Sequence, residues 1–134
     1  MRELKQSVAA LGADVSFAGQ VPPERVCAEI RGARLFVLNS GYEGLPHIIL
    51  EAKAAGVAVV AAAAPGTLEV MNHNVDGWTV PVGDRAALAG AIRHLLANAA
   101  DRQRLQETGR RQVEAEHSYH ALADATEMAL AGRA

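Results

Sequence analysis

The chain has few residues of the kinds that identify a function from composition. It contains one cysteine, Cys27, which excludes an internal disulfide. Its formal net charge is −2 and its basic residues do not cluster, so neither nucleic acid nor an anionic membrane surface is suggested as a partner. The longest apolar run, Val57–Pro65, is too short to span a bilayer, and no signal peptide opens the chain. We therefore expect a cytoplasmic protein.

Common catalytic and metal-binding motifs are also missing. There is no Gly-x-Gly-x-x-Gly fingerprint, no phosphate-binding P-loop and no Gly-x-Ser-x-Gly elbow. Cysteine and histidine form no cluster with metal-ligand spacing, and His117 and His120 are an isolated pair. We therefore expect no bound metal.

What remains is the composition of a packed domain. The 134 residues are 50% hydrophobic and only 4% aromatic, with many alanines, which suits helices packed closely on a sheet. A chain of this length can bury a substantial core, so residues 1–134 are predicted to form one domain.

The centre of the chain has the pattern of a βαβ unit. Two apolar, strand-like runs, Leu35–Leu38 and Val57–Val60, flank the segment Ser40–Gly56. Strand, loop, helix and strand over this length match a right-handed crossover between parallel strands. The loop then lies at the carboxyl end of a strand and the amino end of a helix, where open parallel sheets bind anions. The pattern predicts an α/β fold with a parallel sheet flanked by helices.

The helix of this unit is predicted over Pro46–Ala55. Gly44 opposes an earlier start, and Gly56 would end the helix in the left-handed conformation. Glu43 is then a loop residue, whereas Glu51 lies on the second turn. They are eight residues apart, which in helical rise would be about 12 Å.

Two interpretations of these acids stay open. The helix of Glu51 is apolar over most of its circumference, so it should be packed on nearly every side, and an acid there is costly to bury unless it is paired. Glu51 is either a surface residue paired with His47 one turn earlier or a ligand-binding residue. Glu43 is either a favourable charge near the helix start or a second ligand-binding residue. The presence of both acids favours a binding site.

The rest of the chain is predicted to contain short strands and helices. The predicted strands are Asp14–Gly19 and Gly77–Val80, and the predicted helices are Arg2–Leu11, Arg25–Gly32 begun by Pro23 or Glu24, a short turn over Leu68–Met71, a helix capped by Asp84 and Tyr119–Leu130. Residues 101–116 carry four acids and four bases, which predicts a mostly solvated surface.

The central segment also carries a family resemblance. Ser40-Gly-Tyr-Glu-Gly-Leu-Pro46, followed by Glu51-Ala52, resembles the Glu-x7-Glu signature of the group 1 (family four) retaining glycosyltransferases, which have the GT-B fold. The similarity runs from Val15–Gly19 to residues 117–119 and includes Ala64–Val70 and residues 76–84. The carboxy-terminal domain of this family is a Rossmann-like sheet with strand order 3-2-1-4-5-6. This chain resembles strands 3 to 6, without the first two.

The resemblance implies a nucleotide-sugar donor site. Glu43 would bind hydroxyls of the transferred sugar and is the one catalytic candidate, acting electrostatically rather than as a nucleophile. Glu51 would bind the ribose. The other implied donor-binding residues are Gly44, Leu45 and His47 through their backbone amides, Gly19 and Val21 in a nucleobase loop, and Gly66 and Thr67 near the phosphates, although Gly66 could equally serve only a turn. The nucleotide-sugar would be a substrate, with neither a cofactor nor a metal.

Two parts of the family pattern are missing. By the resemblance, the segment whose Arg and Lys neutralise the leaving diphosphate would precede Met1, and we expect the amino-terminal acceptor domain to lie outside these 134 residues. The resemblance thus implies an N-terminally incomplete domain that needs the acceptor domain in cis or in trans. An exposed sheet edge would allow self-association. Two alternatives remain: a non-catalytic nucleotide- or sugar-binding module, and a remnant of the fold that only associates with another chain. A lipid-linked acceptor would place the full enzyme at the periphery of the inner membrane.

Overall fold

The computed structural model describes residues 1–116 and residue 132. The helices are α1 (Arg2–Leu11), α2 (Pro23–Gly32), α3 (His47–Ala54), α4 (Pro65–Val70), α5 (Arg85–Ala97) and α6 (Ala99–Glu116), and the strands are β1 (Leu35–Leu38), β2 (Ala58–Ala62) and β3 (Trp78–Val80). The predicted helix Tyr119–Leu130 and the pair His117 and His120 lie outside the described residues.

The three strands form one parallel sheet in the order β1-β2-β3. Leu35 pairs with Ala58, and Val60 pairs with Trp78. Each connection between neighbouring strands contains a helix, as parallel pairing requires. The carboxyl ends of β1 and β2 therefore lie at the same edge of the sheet, and the loops that begin there lead to α3 and α4.

Strand β2 is the centre of the core. All five of its residues are buried, and their side chains alternate between the two faces of the sheet. Val59 and Ala61 pack with side chains of α2, α3 and α4, whereas Val60 packs with side chains of β3, α5 and α6. Coverage on both faces explains why β2 is a continuous apolar run in the sequence. The predicted α/β class with a flanked parallel sheet is confirmed.

The predicted strand Asp14–Gly19 is wrong. These residues form no strand, and the side chains of Val15 and Phe17 are 49% and 37% exposed. A strand needs a neighbour for its backbone hydrogen bonds, and no strand of residues 1–116 lies beside this segment. The described sheet consequently has three strands instead of the four predicted.

The turn predicted over Leu68–Met71 is instead the longer helix α4, Pro65–Val70, with Met71 in an extended conformation. The other predicted helices within residues 1–116 agree closely with the structure. Helix α1 ends at Gly12, which has φ 62°, and α2 begins at Pro23. Helix α3 begins one residue later than predicted, with Pro46 at the N-cap, and Gly56 has the expected positive φ of 72°. The Asp84 carboxylate accepts a hydrogen bond from a backbone amide in the first turn of α5, so the predicted cap is confirmed.

Helix α6 is more than a solvated surface. Most of its charged side chains are exposed, but Leu105, Gly109 and Val113 form a buried stripe. These residues are four apart, so they share one face of the helix. That face packs along α3 and against β2. The sequence prediction missed this stripe because charges outnumber apolar residues in the segment.

Helix α1 and strand β1 are the least covered elements. Helix α1 contributes no buried residue, and its Leu4 and Leu11 side chains are 61% and 80% exposed. Strand β1 pairs only with β2, so its other edge has no strand partner among residues 1–116. Among those residues, no helix combines the length and the apolarity needed to cross a bilayer.

Candidate functional site

The loop that follows β1 carries Glu43 and leads into α3. The Glu43 side chain is half-buried and makes no hydrogen bond or ion pair with any residue of the described range 1–116. The backbone amides of Gly44 and Leu45 also have no partner in this range. Free amides at the start of a helix attract anions. The loop thus presents a carboxylate and unpaired N–H groups side by side.

Two amides of the first turn of α3 differ in their availability. The N–H of His47 donates to the carbonyl oxygen of Leu45 at 2.9 Å, so it is already engaged. The N–H of Ile48 has no partner within residues 1–116. The family resemblance implied the amide of His47 but not that of Ile48, whose position inside the first helical turn is the signal that could have identified it.

Gly66, near the start of α4, packs directly against the loop of Glu43. A Cβ atom added at Gly66 would overlap the backbone carbonyl oxygens of Glu43 and Gly44. Gly66 therefore has a role beyond a turn, since any side chain there would displace the loop. Thr67 is 1% exposed, which covers its side chain in this structure.

Glu51 lies on the exposed face of α3. Its carboxylate makes no hydrogen bond or ion pair with any residue in 1–116, so the pairing with His47, one of the two interpretations of Glu51, is absent. It lines a cavity of about 370 Å³ between α2 and α3, together with Cys27, Ile30, Arg31, Ala54 and Ala55. Glu43 is not part of that lining. The cavity joins Glu51 to side chains of α2 that the sequence analysis did not assign to a site.

Val21 lies in a groove on another face of α2. Gly19, two residues earlier, has a positive φ of 66°. Val21 lines an apolar groove of about 320 Å³ with Phe36 of β1, and Ile30 lines both this groove and the Glu51 cavity. The two regions implied as nucleobase and ribose contacts are thus separated by one helix.

The buried charge on α3 is Lys53, not Glu51. The expectation that α3 is packed on nearly every side is wrong: Ile49, Ala52 and Lys53 are buried, whereas His47 and Glu51 are exposed. Lys53 is 1% exposed, which is rare for a lysine. Its burial was not predicted from the sequence, although its spacing of four from Ile49 places both residues on one helix face.

Lys53 is enclosed by hydrogen-bond acceptors from three other parts of the chain. Its ammonium donates to the Val70 carbonyl oxygen at 2.6 Å and to the Gln112 side chain. The Asp76 carboxylate lies 3.5 Å away and itself accepts from the Asn72 amide at 2.7 Å. Burial lowers the pKa of Lys53, and the nearby Asp76 opposes that shift.

The sequence relatives of this chain include several glycosyltransferases. The family described as "Glycosyl transferases group 1" matches residues 2–112. The chain is 34% identical over 112 residues to the amylovoran biosynthesis glycosyltransferase AmsK of Erwinia amylovora, covering 79% of this chain and 28% of that protein. It is also 34% identical over 108 residues to the phosphatidyl-myo-inositol mannosyltransferase of Mycobacterium leprae, covering 80% of this chain and 29% of that protein.

Solved structures give the same result for the fold. The sucrose-phosphate synthase of Thermosynechococcus elongatus superposes with a TM-score of 0.85 at 32% identity, over 98% of this chain and 33% of that one. Anabaena Alr3699/HepE, solved with UDP, superposes with a TM-score of 0.86 at 22% identity, over 98% of this chain and 36% of that one. The chain thus spans about a third of the length of these proteins. The family match over residues 2–112 and the structural similarity together show that the chain belongs to the group 1 glycosyltransferases and has the fold of their carboxy-terminal, GT-B domain.

Proposed function

We propose that this chain is the donor-binding part of a retaining glycosyltransferase, which transfers a glycosyl group from a nucleotide-sugar to an acceptor. The observation that carries the proposal is the loop at the carboxyl edge of the sheet, where Glu43 lies beside unpaired backbone amides at the start of α3. Family membership supports it. So does Alr3699/HepE, a protein of similar fold that was solved in complex with UDP-glucose.

In this proposal, the sugar and the ribose of the nucleotide-sugar are each bound by one carboxylate. Glu43 accepts hydrogen bonds from hydroxyls of the sugar, and Glu51 accepts them from the ribose, because carboxylates are strong acceptors. Neither carboxylate gives up a partner within residues 1–116 when it binds. The amides of Gly44, Leu45 and Ile48 receive the diphosphate. Glu43 also stabilises positive charge that develops on the sugar.

The remaining predicted contacts are part of the same proposal. Gly19 and Val21 meet the nucleobase, and Gly66 holds the loop that meets the phosphates. Thr67 and the amide of His47 reach the ligand only after a local rearrangement, since one is covered and the other is engaged. Transfer with retention needs the acceptor domain and a basic segment for the leaving diphosphate, supplied in cis or in trans. The proposal includes neither a metal nor a cofactor, and it keeps the cytoplasmic location.

Isothermal calorimetry with UDP, GDP and ADP and with their sugars tests this function. We expect one nucleotide series to bind in the micromolar-to-millimolar range, with dissociation constants of about 10⁻⁶ to 10⁻³ M. Glu51→Ala should lose binding of both nucleotide and nucleotide-sugar. Glu107→Ala, which removes an exposed carboxylate on α6, is the matched control and should bind as wild type.

Glu43→Ala separates the roles of the two acids. It should weaken binding of the nucleotide-sugar and leave the free nucleotide almost unaffected. Equal losses for both ligands would reject the role of Glu43. No binding of any nucleotide by the wild-type chain would reject the donor-binding function and favour a fold remnant. Turnover after addition of an acceptor domain distinguishes a transferase from a non-catalytic binding module.

A further inference from the structure

Helix α4 contacts both the loop that carries Glu43 and the helix that carries Glu51, although neither acid lies on α4. At its start, Gly66 packs against the carbonyl oxygens of Glu43 and Gly44. At its end, the carbonyl oxygen of Val70 accepts a hydrogen bond of 2.6 Å from Lys53 of α3. Lys53 is two residues beyond Glu51. Helix α4 therefore bridges the loop of one acid and the helix of the other.

Lys53 is held so that α3 has little freedom to rotate. Its ammonium meets Val70 of α4, Asp76 of the α4–β3 loop and Gln112 of α6. Its aliphatic stem faces Gly109 of α6, where an added Cβ would lie 3.4 Å from the Lys53 Cγ and Cε atoms. A buried charge that loses its partners is costly, so rotation of α3 away from these acceptors is disfavoured.

Glu51 is oriented by the same helix. Two residues on an α-helix are separated by about 200° around its axis, so Lys53 points inward while Glu51 points outward, as their burial shows. We propose that the Lys53–Asp76 pair is a positioning device that fixes α3, and with it Glu51, relative to the loop of Glu43. This inference rests on the proposed function for its effect on affinity, because the gap between the two acids then determines how well a nucleotide-sugar fits.

The test replaces Lys53 and Asp76 by uncharged residues of similar volume. The double variant Lys53→Met/Asp76→Asn leaves no unpaired charge, and replacing a buried ion pair in this way is often tolerated. We expect a thermal unfolding midpoint near that of wild type but an affinity for the nucleotide-sugar about tenfold weaker. The control is Arg110→Met/Glu114→Gln, which removes an exposed ion pair of α6 and should change neither quantity.

A cycle with Glu51 distinguishes positioning from general stabilisation. If the pair acts through Glu51, adding Lys53→Met/Asp76→Asn to Glu51→Gln should cause no further loss of affinity. Wild-type affinity in the folded double variant, or a full additional loss in the Glu51→Gln background, would overturn the inference. If the double variant does not fold, Gln112→Met replaces it, because this change removes one acceptor of Lys53 and leaves the ion pair.

Amide hydrogen exchange without nucleotide separates this inference from the proposed function. Faster exchange at residues 43–51 in the double variant, with wild-type exchange in α5, supports the positioning device even if the wild type binds no nucleotide. That combination would reject the donor-binding function alone. Unchanged exchange at residues 43–51 in a folded double variant would reject the positioning device, whatever the wild type binds.

Discussion

Gly66 and Gly44 pack backbone against backbone. The contact leaves no room for a side chain at position 66, because a Cβ there would overlap the carbonyl oxygen of Gly44. It joins the loop that follows β1 to the start of α4, the helix that follows β2, at the carboxyl edge of the sheet. The loop of Glu43 is therefore shaped by the start of α4 as well as by its own sequence.

Gly66→Ala is predicted to displace the loop of Glu43. Because the obstructing atoms are backbone, the chain must shift, and we expect a loss of about 1–3 kcal/mol in the free energy of unfolding. The affinity for the nucleotide-sugar, measured by calorimetry, should fall as well. Gly90→Ala in α5 is the matched control, since no atom lies within 4 Å of its added Cβ. It should bind normally and gain up to about 1 kcal/mol of stability. Equal behaviour of the two variants would contradict the prediction.

Lys53→Ala is predicted to be among the most destabilising single changes in the chain. It leaves the buried carboxylate of Asp76 without its cation and opens a cavity next to Gly109. Breaking one side of a buried pair costs about 3–5 kcal/mol. Urea unfolding measures the loss, and Lys5→Ala, at an exposed position of α1, serves as the control. A smaller loss of unfolding free energy in Lys53→Ala than in Lys5→Ala would show that the network around Lys53 does not stabilise the fold.

The stability contributed by Lys53 should depend on pH with a defined sign. Burial lowers its pKa from 10.5, more than the Asp76 and Glu116 carboxylates raise it. Between the lowered value and 10.5 the unfolded chain binds more protons, so the free energy of unfolding rises with pH across that window. The difference between wild type and Lys53→Met should therefore increase as the pH is raised towards 10.5. A difference that decreases would show that ion pairing outweighs burial.

At the junction of α5 and α6, by contrast, a contribution to stability should be lost in acid. His94 Nε2 lies 2.7 Å from Asp101 Oδ2, and this hydrogen bond lowers the pKa of Asp101 from 3.8. A carboxylate with a lowered pKa stabilises the fold above its unfolded value, and that contribution is lost as the pH falls through the lowered value. The stability difference between wild type and Asp101→Asn should shrink below pH 3.8. A stability difference that stays constant as the pH falls would contradict this role of the His94–Asp101 hydrogen bond.

The sequence predicted the elements whose signals are local. The helix ending at Gly12, the helix starting at Pro23 and the cap at Asp84 each follow from one residue and its neighbours. The parallel strands β1 and β2 followed from two apolar runs and the length between them. Membership of the glycosyltransferase family followed from Glu43 and Glu51 with the motifs around them.

The errors came from contacts between distant parts of the chain. Asp14–Gly19 has the pattern of a strand, but strand formation depends on a neighbour that this segment lacks among residues 1–116. The burial of Lys53 depends on two acceptors, Asp76 and Gln112, that are far away in sequence. The closeness of Gly66 to Gly44 depends on how two crossovers meet at one sheet edge. Apart from the spacing of four between Ile49 and Lys53, none of these relationships leaves a local pattern in the sequence.

The one-sided pairing of β1 has a geometric consequence for any strand that completes the sheet. In the family order 3-2-1-4-5-6 the strand added beside β1 runs in the same direction as β1. Two copies of this chain joined there by a two-fold axis would instead pair their β1 strands antiparallel. An isotope-edited infrared spectrum of labelled Leu35–Leu38 would report parallel pairing of β1 in the first arrangement and antiparallel pairing in the second.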